Sequence, residues 1–284
     1  LRRLLYVLGV LAGLACSPTP PPVTQPSAKI VVAEPPLQLP VRLSEPGATI
    51  VLGDLHGTRE LPAFVGRVVS ALATTRPVVL ALELPVDELP SLPAFLASDG
   101  GPAARAALLR DDWWQRAYQD GRSSVAMLEL LETARRLRAR GARVDVVCFD
   151  AVLPADQETN AELREATMAQ TLIGQRAARP DATFVIYVGN LHARRAAWSH
   201  HPDFTWMVMR MASAGIAITT LDARYRAGTA WVCTNDQASD CGPAPMAGSA
   251  GAPGIELAPP ADGGFDGTYD VGPITASPPA AKGA

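Results

Sequence analysis

The sequence predicts an α/β fold: a mostly parallel central sheet flanked by helices on both faces, a single domain with disordered ends. Two observations carry this. Short apolar runs rich in β-branched residues alternate along the chain with stretches of helical period. Those runs are hydrophobic almost throughout rather than at every second residue, as strands covered on both faces must be. Composition agrees: of 284 residues, 48% are hydrophobic and 19% charged, ordinary for a globular protein.

The elements follow in order. Residues 48–53 (ATIVLG), bounded by Gly47 and Gly53, read as a buried strand, and 59–73 (RELPAFVGRVVSALA) as a helix. Residues 77–83 (PVVLALE) are a second strand, and 101–118 have helical spacing. In 124–140 the helical period is strongest: Met127, Leu130, Leu131, Ala134 and Leu137 share one face, with Glu132 and Arg136 paired outside. Gly141 stops that helix, and 143–150 (RVDVVCFD) form a third strand. A helix over 158–178, a strand over 183–189 (TFVIYVG), a helix over 205–215, a strand over 216–222 and an extended piece over 228–234 complete the pattern.

Both ends differ from this core. Residues 1–16 (LRRLLYVLGVLAGLAC) combine two arginines, an apolar run of about a dozen residues and a small-residue site, the form of a secretory signal too short to span a bilayer comfortably. A signal closing on Cys16, followed by a Pro-rich tether over 17–40, resembles a bacterial lipoprotein, with Gly13 where such signals usually carry leucine. That resemblance implies lipid attachment at Cys16 and an extracytoplasmic, membrane-anchored address. Plain secretion with Cys16 removed is the alternative. Residues 243–284, rich in Pro, Gly and Ala, are expected to be a disordered tail, which leaves 41–242 as the domain.

Cysteine usage suits that address. Cys233 and Cys241 bracket a short polar loop, and in an oxidising compartment such a pair forms a disulfide. Cys148, in an apolar run, reads as a small buried hydrophobe. With 25 basic and 28 acidic residues, a formal net charge of −3, and no dense Lys/Arg stripe, nucleic acid is not the expected partner.

Ligands of open α/β sheets bind outside the carboxyl ends of the strands, and the reactive side chains fall there. The first strand runs into GDLH, with Asp54 and His56; the second ends at Glu83, the third at Asp150, the fourth at GNLH, with Asn190 and His192. These two turns use two of the four histidines. Plainer roles stand beside this reading. An Asp or His after a strand is commonly a cap or a turn residue. Glu83 is harder to place so, because a carboxylate directly after VVLAL is costly to bury unless paired or ligated. His200 and His201 read as exposed loop residues.

Taken together, Gly-acid-x-His after the first strand, Glu after the second and Gly-x-x-His after a late strand resemble the erythromycin esterase/ChaN/Tiki–TraB superfamily, over about residues 49–222. The resemblance implies an α/β fold in which His56, Glu83 and His192 line one pocket, with Asp54 at an acid position that usually holds Glu. Members of this group include esterases that activate water with a histidine, metal-dependent proteases and haem-binding lipoproteins.

Two mechanisms fit those residues. In one, a near-neutral His56 is a general base oriented by Asp54 or Glu83, with Arg122 steadying an oxyanion. In the other, His56, Glu83 and His192 hold a divalent metal such as Zn, Mn or Fe that acidifies its water. Haem is a further candidate cofactor, with Met207, Met209, Met211 and Tyr225 as conceivable ligands, although methionines at that spacing usually fill cores. DDWWQRAY (111–118) suits either an aromatic wall over the pocket or core packing. The function readings are therefore an extracytoplasmic hydrolase of an unidentified small-molecule or peptide substrate, a haem- or metal-binding lipoprotein without turnover, and an inactive interaction lipoprotein.

Overall fold

The computed structural model describes residues 37–150, 152–157, 160–235, 237–249, 251–260 and 262–282. The signal, Cys16 and most of the tether lie outside them. Among the described residues, seven strands form one sheet in the order β3-β2-β4-β1-β5-β9-β8. These are β1 (Thr49–Asp54), β2 (Val78–Pro85), β3 (Val144–Asp150), β4 (Thr183–Gly189), β5 (Ile218–Arg224), β8 (Gly254–Glu256) and β9 (Gly267–Asp270). All neighbours are parallel except β8, which runs antiparallel to β9. The α/β expectation therefore holds.

Strand alternation divides the core into two halves. Ile50, Leu52, Leu80, Leu82, Val185 and Tyr187 point to the face covered by helices α1 (Glu60–Ala73), α2 (Leu92–Ala97) and α5 (Val125–Ala139). Val51, Val79, Ala81, Phe184, Ile186 and Val188 point to the face covered by α6 (Ala161–Ala178) and α7 (Met207–Ser213). Helix α1 lays Leu61, Phe64, Val65, Val68, Val69 and Leu72 on the sheet at spacings of three and four. Ser124 caps α5 by accepting from the Met127 amide at 3.4 Å, and Asn160 caps α6 by accepting from that of Leu163 at 3.0 Å. Cys148, expected to be buried, is partly buried against the core, and desolvation pushes its thiol up to about 12.

Three expectations need correction. The helix over 101–118 is two short ones, α3 (Pro102–Leu108) and α4 (Asp112–Gln115). Asp111 breaks the run because its carboxylate accepts from the Ser91 amide and hydroxyl at 2.9 and 2.7 Å, which holds its backbone extended. On α5, Glu132 faces inward and is gripped by Arg135 at 2.7 Å, while Arg136 stands 3.9 Å away.

The third correction concerns residues 243–284, which are not a disordered tail where the structure describes them. β6 (Gly228–Cys233) pairs antiparallel with β7 (Cys241–Met246) in a separate ribbon, closed by the expected Cys233–Cys241 disulfide. β9 then joins the main sheet beside β5. Its Tyr269 is fully buried, stacks on Phe64 with ring centres 5.2 Å apart, and donates to the Gly53 carbonyl at 2.8 Å. Pro and Gly suppress helix and sheet propensity, yet sparse apolar anchors at Phe265, Tyr269 and Ile274 are enough to seat this segment in the core.

Candidate active site at the strand ends

The strand order sets Asp150, Glu83, Gly189 and Asp54 in adjacent columns at the carboxyl edge, on β3, β2, β4 and β1. The β2–β3 register shifts between Leu82 and Pro85, so an irregularity falls across Glu83 and Leu84, a common way of re-aiming a side chain. The two histidine turns also lie against each other. A Cβ on Gly53 would stand 3.1 Å from the Asn190 Cα, and the Asn190 amide donates to the Asp54 carbonyl at 3.0 Å. A Cβ on Gly189 would stand 3.1 Å from His56 Nε2 and 3.4 Å from both Glu83 Oε2 and His192 Cδ2. His56, Glu83 and His192 thus converge on one point, and Gly189 keeps it clear.

Glu83 is the hub. Its Oε2 accepts from the Gly189 amide at 2.7 Å and lies 3.3 Å from His56 Nε2. Its Oε1 accepts from Arg122 at 3.1 Å and Arg164 at 2.7 Å, and lies 3.7 Å from His192 Nε2. Each histidine has its own carboxylate behind it. His56 Nδ1 is 2.7 Å from Asp54 Oδ2, while His192 Nδ1 bonds Glu165, whose other oxygen accepts from the Met207 amide at 2.6 Å. Arg122 and Arg164 both reach Asp150, at 2.8 and 2.9 Å, and Arg122 also donates to Asp120 at 2.7 Å.

These contacts set the charges. Burial by itself would lower the His56 imidazole, but Glu83 and Asp54 outweigh it and push it up to about 10. Burial would raise Glu83, yet His56 and then Arg122 hold it well below the usual carboxylate range. Asp120, against the same burial effect, is lowered to about 2 beside Arg122. The expected near-neutral His56 is therefore corrected: with a carboxylate on each ring nitrogen it is an imidazolium at neutral pH. His192 differs. Arg164 approaches its Nε2 at 3.2 Å, and a guanidinium only donates, so that nitrogen accepts and the proton sits on Nδ1 toward Glu165.

The metal expectation does not fit this arrangement. Among the described residues no group of three or more His, Cys, Asp or Glu side chains gathers as a metal site. The oxygen of Glu83 nearest His192 is already held by two guanidinium groups, whose charges would oppose a dication. Of the conceivable haem ligands, Met207 and Met211 are buried between α7 and the sheet. Arg122 is in the site, but its donors go to Glu83, Asp120 and Asp150, so it orders carboxylates rather than standing ready for an oxyanion. Trp113 and Trp114 are core, Trp113 carrying the Arg116 guanidinium 3.5 Å from its ring centre. His200 and His201 lie exposed against Trp198.

Sequence reasoning missed Arg164, Glu165 and Asp120. One signal for Glu165 was available. It heads the buried stripe Glu165, Met168, Ala169, Leu172 of α6, where an acid on an apolar face needs a partner.

No protein-family model matches the chain, and no curated protein is similar in sequence. Solved structures are similar in fold. The sheet and its strand-end site define an α/β protein of the architecture that the sequence motifs implied. A succinoglycan biosynthesis protein matches with a TM-score of 0.59 at 10% identity, over 85% of this chain and 95% of that one. A variant of the erythromycin esterase EreC in its open conformation matches with a TM-score of 0.58 at 11% identity, over 84% and 92%. A Bacillus cereus protein matches with a TM-score of 0.57 at 11% identity, over 83% and 90%. These likenesses, all at 11% identity or below, show the α/β fold that the resemblance implied.

Proposed function

We propose that this chain is an extracytoplasmic hydrolase, anchored by lipid at Cys16, that cleaves an acyl or related bond with two histidines in unlike protonation states. The observation that carries the reading is the pair of histidine–carboxylate couples converging on Glu83, with a Glu83 oxygen against His56 Nε2 and the Arg164 guanidinium against His192 Nε2. A charged imidazole donates a proton, and a neutral one takes it. In the proposed reaction water attacks the substrate carbonyl while His192 Nε2 removes its proton. His56 Nε2 gives its proton to the leaving group, and Asp54 and Glu165 hold each ring in its tautomer. Arg122 and Arg164 keep Glu83 ionised so that His56 stays charged. The fold shared with an esterase and the disulfide of an oxidising compartment support the reading.

The test is turnover of p-nitrophenyl acetate, followed by a wider ester and amide panel, by the purified chain and by His56→Ala and His192→Ala. Loss of turnover in both variants, with circular dichroism unchanged, is expected. Undiminished turnover in both would dispose of the reading.

A further inference from the structure

The ribbon β6–β7 touches the candidate site mainly through Trp231, with Cys233 Sγ 3.5 Å from the Gln119 carbonyl. The Trp231 amide donates to the Gly57 carbonyl at 2.8 Å, directly after His56. Its indole Nε1 donates to the Gln119 carbonyl at 3.0 Å, three residues before Arg122. The two turns tied in this way are in contact. A Cβ on Gly121 would stand 2.4 Å from the Gly57 nitrogen, and one on Gly57 would stand 2.0 Å from the Trp231 carbonyl oxygen. Gly57 and Gly121 have φ of +84° and +94°, so neither turn tolerates another residue easily. The stack Gly121, Gly57, Trp231 leaves little room for either turn to slide.

The far side of the stack is fixed as well. Gln119 is buried, and its amide donates to the carbonyls of Trp114 and Arg116 at 2.9 and 3.0 Å. The Gly57 carbonyl takes a second bond from the Ser277 amide at 2.8 Å. Two residues beyond Trp231, the Cys233–Cys241 disulfide closes the ribbon. A two-stranded ribbon is marginal by itself, and this cross-link holds the indole in place.

We propose that Trp231 is a positioning residue of the candidate active site, a clamp that fixes the histidine turn of residues 53–57 against the arginine turn of residues 119–122. His56 and Arg122 meet on opposite oxygens of Glu83, at 3.3 and 3.1 Å, and relative movement of their turns lengthens one contact or the other. The placement of the turns is independent of the reaction, whereas its effect on turnover rests on the hydrolase reading.

The experiment records the imidazole N–H resonances of His56 in uniformly 15N-labelled protein at neutral pH, in wild type and in Trp231→Phe. That variant keeps an aromatic ring and the backbone bond to Gly57 and removes the indole donor together with part of the ring. The His56 Nε2–H signal is expected to shift or broaden in the variant while the His192 signal stays in place. A His56 spectrum superimposable on wild type would overturn the proposal. If Trp231→Phe does not fold, Cys233→Ser/Cys241→Ser, which opens the ribbon and leaves the indole, decides by the same criterion. In a second arm, kcat for p-nitrophenyl acetate falls on the order of tenfold with KM unchanged, since small misplacement costs rate more than affinity. A raised KM at unchanged kcat would count against positioning. Absence of turnover in wild type would sink the hydrolase reading alone, and the His56 spectrum would still decide this one.

Discussion

His56 and His192 present their Nε2 atoms to opposite oxygens of Glu83, at 3.3 and 3.7 Å, each with a carboxylate behind its Nδ1. One ring faces a carboxylate oxygen that also accepts from the Gly189 amide, the other an oxygen shared with two guanidinium groups. The consequences can be measured.

Glu83→Gln leaves the shape of the hub and removes its charge. Arg122 and Arg164 then keep Asp150 but lose the carboxylate they share with His56. Breaking a largely buried ion pair from one side costs about 3 kcal/mol. Urea denaturation is expected to show a loss of about that size, together with loss of turnover. A variant as stable as wild type would mean that the arginines do not depend on Glu83.

The imidazolium of His56 makes stability depend on pH. Its folded-state value, about 10, lies above the ordinary 6.5, so its stabilisation is complete below about pH 6.5 and is lost as pH rises through about 10. The urea midpoint of wild type is expected to fall across that window, and that of His56→Gln to fall less. Parallel profiles would show that His56 is not charged in the fold. The alkaline limb of kcat/KM is expected in the same range, since the proposed acid must keep its proton.

Glu165→Gln tests the tautomer of His192. A carboxamide can turn its NH2 toward Nδ1, which moves the ring proton to Nε2, against Arg164. Turnover is expected to fall on the order of a thousandfold, the scale seen when a catalytic histidine is held in the wrong tautomer. Thermal stability should change much less than turnover. Near-wild-type kcat would remove His192 from the role of base.

Tyr269 separates packing from hydrogen bonding. Tyr269→Phe loses the bond to the Gly53 carbonyl and is expected to cost about 1 kcal/mol. Tyr269→Ala empties a fully buried site against Phe64 and is expected to cost about 4 kcal/mol. Equal losses in the two variants, read by chemical denaturation, would contradict the packing described.

Much of this was legible in the chain. Buried strands announce themselves as β-branched runs, and an ionisable residue directly after such a run stands out, which is how Asp54, His56, Glu83 and His192 are found. Arg164 and Glu165 were hidden because they lie on a helix, where charged residues are ordinary, and only their phase against Met168 and Leu172 sets them apart. The charge state of His56 was illegible for another reason: it depends on two carboxylates brought together by strand order, and local sequence does not encode that order. Residues 243–284 misled because composition reports average tendency, while Tyr269 acts as a single anchor.

That last segment changes when the site exists. Gly53 waits for Tyr269, and Gly57 for Ser277, separations of more than two hundred residues in chain order. A polypeptide emerging amino end first carries both histidines long before it carries what braces their turns. The bracing of the two turns is therefore completed only as the closing stretch docks. Shortened forms ending near residue 242 are expected to keep the reactive side chains yet lack the bracing that sets their spacing.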